Sequence, residues 1–178
     1  MTNKQLLIRP LLAILMALFA LSTWATDPRE DLYLTAERLF HISRSVNRNL
    51  VCYDAHLTNN GQLITDEPIN VYWVNREERP GEKNGLNFFQ RKMAYGYKVV
   101  DKGDDYSVVT LSAYPDRQLT VRRHDGRYIC QVKINGQESL LHELYVKVSP
   151  RNSMSVEYVE LRGETLKDGT AVSERIRR

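Results

Sequence analysis

From residue 39 onward, apolar and polar residues alternate along most of the chain with a period of two, the pattern of half-buried β-strands. The alternation predicts about nine strands. Their approximate ranges are 39–45, 50–58, 69–76, 106–113, 119–124, 127–134, 139–148, 155–162 and 171–175. Asp125-Gly126 and Asn135-Gly136 are dipeptides that supply the positive φ angles of two-residue hairpin turns. The three strands that these turns connect are therefore predicted to be antiparallel neighbours.

Short connections and the absence of a strand-helix-strand rhythm predict an all-β fold with antiparallel pairing. An open sheet of about nine strands would leave two unpaired edges, so closure is favoured. We expect an antiparallel meander that forms a closed or nearly closed barrel, lipocalin-like in general shape. A β-sandwich is the alternative. Residues 77–85 are charged and rich in turn formers, and they are predicted to form a surface loop.

One stretch, LNFFQRKMAYGYK at residues 86–98, departs from the two-residue period. Leu86, Phe89 and Met93 have the spacing of one helical stripe. The sequence therefore predicts one short helix near residues 85–95, inserted between the third and fourth predicted strands. We expect its apolar stripe to pack on the barrel.

The same stretch brings aromatic and basic side chains together, and two hypotheses follow. In the structural hypothesis, the helix plugs one end of the barrel and Arg91 neutralises a nearby carboxylate. In the functional hypothesis, the helix borders a ligand cavity in which an arginine and aromatic rings supply polar tips and flat surfaces. The candidate ligand-binding residues are Trp73, Phe88, Arg91, Tyr95 and Tyr97.

The N-terminus has the three parts of a secretory signal peptide. Lys4 and Arg9 precede an apolar run at residues 11–21, and small residues follow it. The run is about half as long as the roughly 20 residues that a membrane-spanning helix needs. We therefore predict a signal peptide at residues 1–25 and a single domain at residues 26–178, located in the periplasm or secreted, with no integral membrane segment after cleavage.

Charge and motifs exclude several functional classes. Loss of Lys4 and Arg9 with the signal peptide lowers the formal net charge from +3 to +1, and charges of both signs are interspersed. Nucleic-acid binding is therefore not expected. The chain contains no Gly-x-Ser-x-Gly, His-Glu-x-x-His, phosphate-binding glycine loop or Cys-x-x-Cys motif. Glu160 and Glu174 lie on predicted strands, but nothing in their spacing assigns them a role, so no catalytic residue and no cofactor is predicted.

Two cysteines in an oxidising compartment suggest a disulfide bond between Cys52 and Cys130. The alternation argues partly against it, because Cys52 lies on the polar face of its strand and Cys130 on the apolar face of its own. The pairing stays open at this point. Cys52, Asp54 and His56 share one strand face and are possible metal ligands, but their spacing matches no known metal motif, and no metal site is predicted.

Three segments are distinctive: NLVCYDA at residues 49–55, YWV at residues 72–74 and AYGY at residues 94–97. With their surroundings, from about residue 39 to residue 176, they resemble a family of secreted bacterial proteins catalogued as domain of unknown function 4833. The resemblance implies an exported single-domain protein. It brings no activity and no catalytic residue.

Three functional hypotheses remain. The leading one is a non-catalytic periplasmic binding protein for a small hydrophobic or amphipathic ligand. The second is a structural or protein-interaction module of the cell envelope with a solid barrel, and the third is a hydrolase or isomerase of unrecognised type. A wide lumen lined by aromatic residues would favour the first, a packed interior the second, and two converging ionisable groups in a cleft the third.

Overall fold

Eleven β-strands form the fold in the computed structural model, which describes residues 35–177 apart from the side chains of residues 153 and 154. In chain order they are β1 (Arg38–Arg44), β2 (Asn47–Ala55), β3 (Ile69–Val74), β4 (Lys83–Gly85), β5 (Tyr97–Lys102), β6 (Tyr106–Leu111), β7 (Tyr114–His124), β8 (Arg127–Ile134), β9 (Gln137–Ser149), β10 (Asn152–Thr165) and β11 (Ala171–Arg177). All nine predicted strands are present. The predicted signal peptide lies outside the described residues.

The long strand β9 is the centre of the sheet. Along one side it pairs with β10, which in turn pairs with β11. Along the other side it pairs first with β8 and then with β1. Two branches leave this side of β9, one in the order β1-β2-β3-β4 and the other in the order β8-β7-β6-β5. The β1–β9 pairing is parallel, whereas the other strand pairs are antiparallel, so the predicted pure meander is wrong at this one junction.

The sheet curls strongly around one apolar core and forms a half-barrel. The prediction of an all-β barrel is therefore correct for the fold class and wrong for full closure. Within the described residues, β4 and β5 are the last strands of the two branches and do not pair with each other. The branches are instead joined through side chains, including the Tyr97 hydroxyl, which bonds to the backbone of Ile69.

Hairpin turns fix the register of β7, β8 and β9. Asp125 and Gly126 have φ angles of 48° and 82°, and Asn135 and Gly136 have φ angles of 49° and 78°. Positive φ at both central residues is the geometry of the type I′ turn that these dipeptides favour. The predicted three-stranded antiparallel unit is confirmed.

The two faces of β2 are both buried. Val51 and Tyr53 belong to the main core, and Tyr53 stacks on Phe40 with ring centroids 4.3 Å apart. Cys52 lies on the opposite face, in a small cluster with Leu50 and Val74. Cys130 belongs to the main core, so the two cysteines occupy different faces of the sheet and both are free.

The segment 86–98 differs from its prediction. It begins with one helical turn, α1 (Phe88–Gln90), continues as a π-helical turn at Arg91–Tyr95, and then enters β5. Leu86 is buried as expected, but Phe89 and Met93 are 75% and 69% exposed. The expected apolar stripe does not form, because Leu86 precedes the helical turn, whose N-cap Asn87 has an extended backbone, and because the turn changes from α to π geometry after Gln90. No helix of the described residues is long and apolar enough to cross a membrane.

The segment 77–85 is not entirely loop. Its last three residues form β4, which pairs with β3. Both β4 and the unpredicted strand β5 are edge strands, and they place the helical turn between the ends of the two branches.

Candidate functional site

A groove beside the helical turn is the strongest candidate for a binding site. It encloses about 610 Å³, lies between the turn, β3 and β5, and is open along one side. This volume falls within the range of roughly 300–1,000 Å³ typical of small-molecule sites. We call it the helix groove. Its apolar lining consists of Val71, Leu86, Phe88 and Val99.

Four charged side chains also line the helix groove. Arg91 and Lys92 come from the helical turn, and Asp66 and Glu67 come from the loop before β3. Asp66 forms an ion pair with Lys102 of β5. The groove therefore combines apolar side chains with two cations and two carboxylates, of which Asp66 is already paired, and the cations suit the head group of an amphipathic anion.

The backbone around Arg91 is held firmly. Its carbonyl accepts hydrogen bonds from the Gly96 N–H and from the Ser112 hydroxyl, each at 3.0 Å. A Cβ atom at position 96 would lie 2.1 Å from the Arg91 carbonyl oxygen, so this approach requires glycine. At the start of the turn, Asn87 and Gln90 form a reciprocal capping box.

The guanidinium of Arg91 has few hydrogen-bond partners within the described part of the protein. Its Nε donates to the carbonyl of Leu86 at 3.4 Å, a long hydrogen bond. Among the described residues no carboxylate forms an ion pair with it. The side chain is exposed, so its remaining donors are available to a ligand.

Tyr97 forms part of the groove wall and also holds the fold together. Its hydroxyl accepts from the Ile69 N–H at 3.2 Å and donates to the Ile69 carbonyl at 2.9 Å. Burial raises the pKa of Tyr97. The ring faces the groove while the hydroxyl is fully engaged by backbone.

The structure brings three of the five predicted ligand residues together. Phe88, Arg91 and Tyr97 line the helix groove. Trp73 and Tyr95 do not, because both pack against the main core, with their rings edge to face at 5.2 Å. The indole N–H of Trp73 is buried without a hydrogen-bond partner in the part of the chain that the structure describes.

Several groove residues were not predicted. Nothing in the sequence distinguishes Val71 from other apolar strand residues. Val99 lies in β5, a strand that the alternation did not predict. Lys92 carried a usable signal, since it neighbours Arg91 in the basic and aromatic segment.

A row of polar side chains crosses the outer face of the sheet away from the groove. His41 of β1 lies opposite Cys52 on one side and Glu143 on the other, and Glu143 lies opposite Arg162. His41 Nε2 is 3.7 Å from Glu143 Oε1, and Arg162 donates to Glu143 at 2.8 Å. Burial would raise the pKa of Glu143, but the nearby His41 and the hydrogen bonds from Ser43 and Arg162 outweigh it and lower the pKa to about 2.

This polar row lacks the geometry of an activated nucleophile. The Ser43 hydroxyl donates directly to Glu143 and not to His41. Cys52 is completely buried, and burial raises its pKa to about 11, so the thiol is not activated.

The two carboxylates Glu160 and Glu174 each pair with arginine. Glu174 accepts two hydrogen bonds from Arg117, at 2.7 and 2.9 Å, beside a polar hollow of about 540 Å³. Glu160 accepts from Arg162 and Arg175. These arginines lower the pKa of both carboxylates, which favours structural ion pairs over a general acid.

The three possible metal ligands of β2 have separate environments. Asp54 accepts hydrogen bonds from Arg38 and Tyr72, and Cys52 packs between Leu50 and Val74. The His56 Nδ1 lies 2.9 Å from the Glu67 carbonyl oxygen. No group of three or more metal-ligating side chains occurs in residues 35–177.

Comparison with known proteins identifies the family and nothing more specific. No curated protein and no solved structure matches the chain. The profile of one family, described as a domain of unknown function (DUF4833), matches residues 40–175, which span every strand from β2 to β10 and most of β1 and β11. The resemblance carried by the motifs of β2, β3 and the helical turn is thereby confirmed, and the chain belongs to the DUF4833 family.

Proposed function

We propose that the protein is a non-catalytic, exported binding protein whose helix groove takes a small amphipathic ligand with an anionic head group. The single observation that carries the proposal is Arg91, an exposed guanidinium without a carboxylate partner among the described residues, in the lining of a partly apolar groove. An apolar lining with a few placed polar groups is the usual composition of a small-molecule site. The predicted location is the periplasm or the extracellular space.

The ligand class follows from the aliphatic and the cationic side chains that line the groove. Val71, Leu86 and Val99 offer aliphatic surface to an alkyl chain, and burial of such surface contributes about 25 cal/mol per Å². Arg91 can hold a carboxylate or a phosphate with two parallel hydrogen bonds. Together they favour a fatty acid or a similar single-chain amphiphile over a fully apolar molecule.

The test compares three ligands that share a twelve-carbon chain: laurate, dodecanol and dodecyltrimethylammonium. Binding is measured below the micelle concentration by native mass spectrometry and by calorimetry. We expect laurate to bind most tightly. Arg91→Gln should weaken laurate binding about tenfold or more, because a hydrogen bond to a charged group contributes roughly 1.5–3 kcal/mol.

Lys98→Gln is the matched control for Arg91→Gln. It removes one positive charge from the same segment at a residue outside the groove lining, and it should change laurate binding little. Equal affinity for the three ligands, or equal loss in both variants, would contradict the proposal.

A second candidate function is a structural or protein-interaction module of the cell envelope. It is supported by the concave side of the half-barrel, which is filled by side chains such as the stacked pair of Phe40 and Tyr53. In this alternative the exposed surfaces act and the groove stays empty. Failure of all three amphiphiles to bind, with a protein partner recovered by crosslinking in cells, would favour it.

A further inference from the structure

Three large apolar side chains project from the helical turn into solvent. Phe88, Phe89 and Met93 are 69%, 75% and 69% exposed. Among the described residues six large apolar side chains are exposed, and half of them lie in these six consecutive positions. Scattered exposed apolar residues need no explanation, but a cluster marks an interaction surface. We call this cluster the aromatic tip.

The aromatic tip is held in place by the backbone beneath it. The capping box of Asn87 and Gln90 fixes its start, and the close packing of Gly96 on the Arg91 carbonyl fixes its end. The rings of Phe88 and Phe89 meet edge to face at 5.8 Å. The exposed side chains therefore belong to an ordered turn. Docking would not need to order this backbone, so it would lose less conformational entropy.

The charged residues of the segment that carries the aromatic tip all have one sign, although Asp66 and Glu67 of the preceding loop also line the helix groove. Residues 86–100 include Arg91, Lys92 and Lys98 and no acidic residue, although the whole chain has 25 basic and 22 acidic residues. The Lys92 ammonium lies 5.8 Å from the centroid of the Phe88 ring. Aromatic side chains that insert at the headgroup level, flanked by cations that attract anionic lipids, are the two elements of peripheral membrane binding.

We propose that the aromatic tip docks the protein on the surface of a bilayer that contains anionic phospholipid. Phe89 and Met93 enter the interface, and Arg91 and Lys92 contact the headgroups. The observation that carries this proposal is the exposed cluster, so it stands even if the helix groove binds nothing. If both proposals hold, docking places the groove mouth at the lipid surface, because Phe88, Arg91 and Lys92 belong to both.

A local fluorescent reporter tests the proposal. Phe89→Cys is labelled with an environment-sensitive nitrobenzoxadiazole dye in the full protein. Labelling is selective because both native thiols, Cys52 and Cys130, are completely buried. Val46→Cys, at an exposed position between β1 and β2, carries the same dye as the matched control. Because the dye senses only its own surroundings, contact of any other part of the chain with lipid does not mimic the result.

Vesicles of phosphatidylcholine with about 30% phosphatidylglycerol should raise the emission at position 89 at least twofold and shift it to the blue, with a smaller change on pure phosphatidylcholine. The dye at position 46 should not change. The proposal is overturned if neither vesicle type changes the emission at position 89. It is also overturned if the emission at position 46 rises as much as that at position 89. A rise with protein concentration in the absence of vesicles also overturns it, because it identifies a second copy of the chain as the occupant.

A variant pair separates docking from ligand binding. Phe89→Ser with Met93→Ser removes the insertion side chains and leaves the groove lining intact. It should lower the fraction of protein that cosediments with anionic vesicles at least threefold relative to Val46→Ser with Val100→Ser, which removes two other exposed apolar side chains. Laurate binding should survive in both. Equal cosedimentation of the two double variants contradicts the docking proposal and does not bear on the groove.

Discussion

The phenol of Tyr97 makes two hydrogen bonds to one residue, accepting from the Ile69 N–H at 3.2 Å and donating to the Ile69 carbonyl at 2.9 Å. Ile69 begins β3, and Tyr97 begins β5. One side chain thus satisfies, across the gap between the two branches, the backbone groups that a neighbouring strand would satisfy in a closed barrel. These two hydrogen bonds join the two branches of the half-barrel beside the helix groove.

Replacement of Tyr97 by phenylalanine should destabilise the fold. The substitution leaves the N–H and carbonyl of Ile69, a residue that is 2% exposed, without partners, and a buried unsatisfied group costs about 1–3 kcal/mol. Urea unfolding of Tyr97→Phe measures the loss. Tyr145→Phe is the control, since the described contacts of Tyr145 are made by its ring. Equal stability of the two variants would mean that the hydroxyl does not join the branches.

The stability of the fold at acid pH should depend on Glu143 in the polar row on the outer face. The pKa of Glu143 is lowered from 4.5 to about 2, so its carboxylate stabilises the folded state above about pH 4.5, and the contribution is lost as the pH falls toward 2. The stability of the native protein should therefore decline over this window by about 2–3 kcal/mol more than that of Glu143→Gln. Urea unfolding at several pH values measures it.

The control for this pH dependence is Glu157→Gln, which removes one carboxylate at an exposed position of β10. Its stability should follow that of the native protein through the acid range. Parallel pH curves for native protein and Glu143→Gln would show that the contacts with His41, Ser43 and Arg162 do not stabilise the ionised form.

Both thiols should be free and protected. Burial raises the pKa of Cys52 to about 11 and also raises that of Cys130, and the two side chains lie on different faces of the sheet. In native buffer near neutral pH, a thiol reagent such as dithionitrobenzoate should react with neither over minutes. In concentrated denaturant it should titrate two thiols. A count of zero in denaturant would instead reveal a disulfide bond.

Glycine at position 96 should be required and glycine at position 85 should not. A Cβ at position 96 meets the Arg91 carbonyl oxygen at 2.1 Å, whereas a Cβ at position 85 meets nothing within 4 Å. Gly96→Ala should therefore cost about 1–3 kcal/mol, and Gly85→Ala should stay within about 0.5 kcal/mol of the native protein. Thermal or urea unfolding compares them. If both alanines are tolerated equally, the turn is not fixed as described.

Much of the fold could be predicted from the sequence because its signals are local. Asp125-Gly126 and Asn135-Gly136 prefer one turn geometry whatever surrounds them, so three strands followed from two dipeptides. The phase of β2 was equally local, and it correctly separated Cys52 from Cys130. Alternation reports which residues share a face without reference to any partner strand.

The missed elements lack such signals. β4 has three residues, all exposed, which is too short to show a period. β5 is an edge strand in which only Tyr97 and Val99 are partly buried. The parallel pairing of β1 with β9 joins segments about 100 residues apart, for example His41 with Glu143, and no local pattern encodes it.

The candidate site was half predicted for a related reason. Residue chemistry singled out Phe88, Arg91 and Tyr97, which line the groove, and also Trp73, which packs into the core. The helical stripe failed because the prediction assumed 3.6 residues per turn over eight positions, and the chain makes only one α turn before a π turn.

The most direct test of the central claim is a nuclear magnetic resonance titration of the labelled protein with laurate. The account predicts saturable shifts of the backbone amides of Val71, Leu86, Tyr97 and Val99, which surround the helix groove, and unchanged amides for Val132 and Gly136 beside the polar hollow. Absence of saturable shifts, or shifts confined to residues outside the groove, would contradict it.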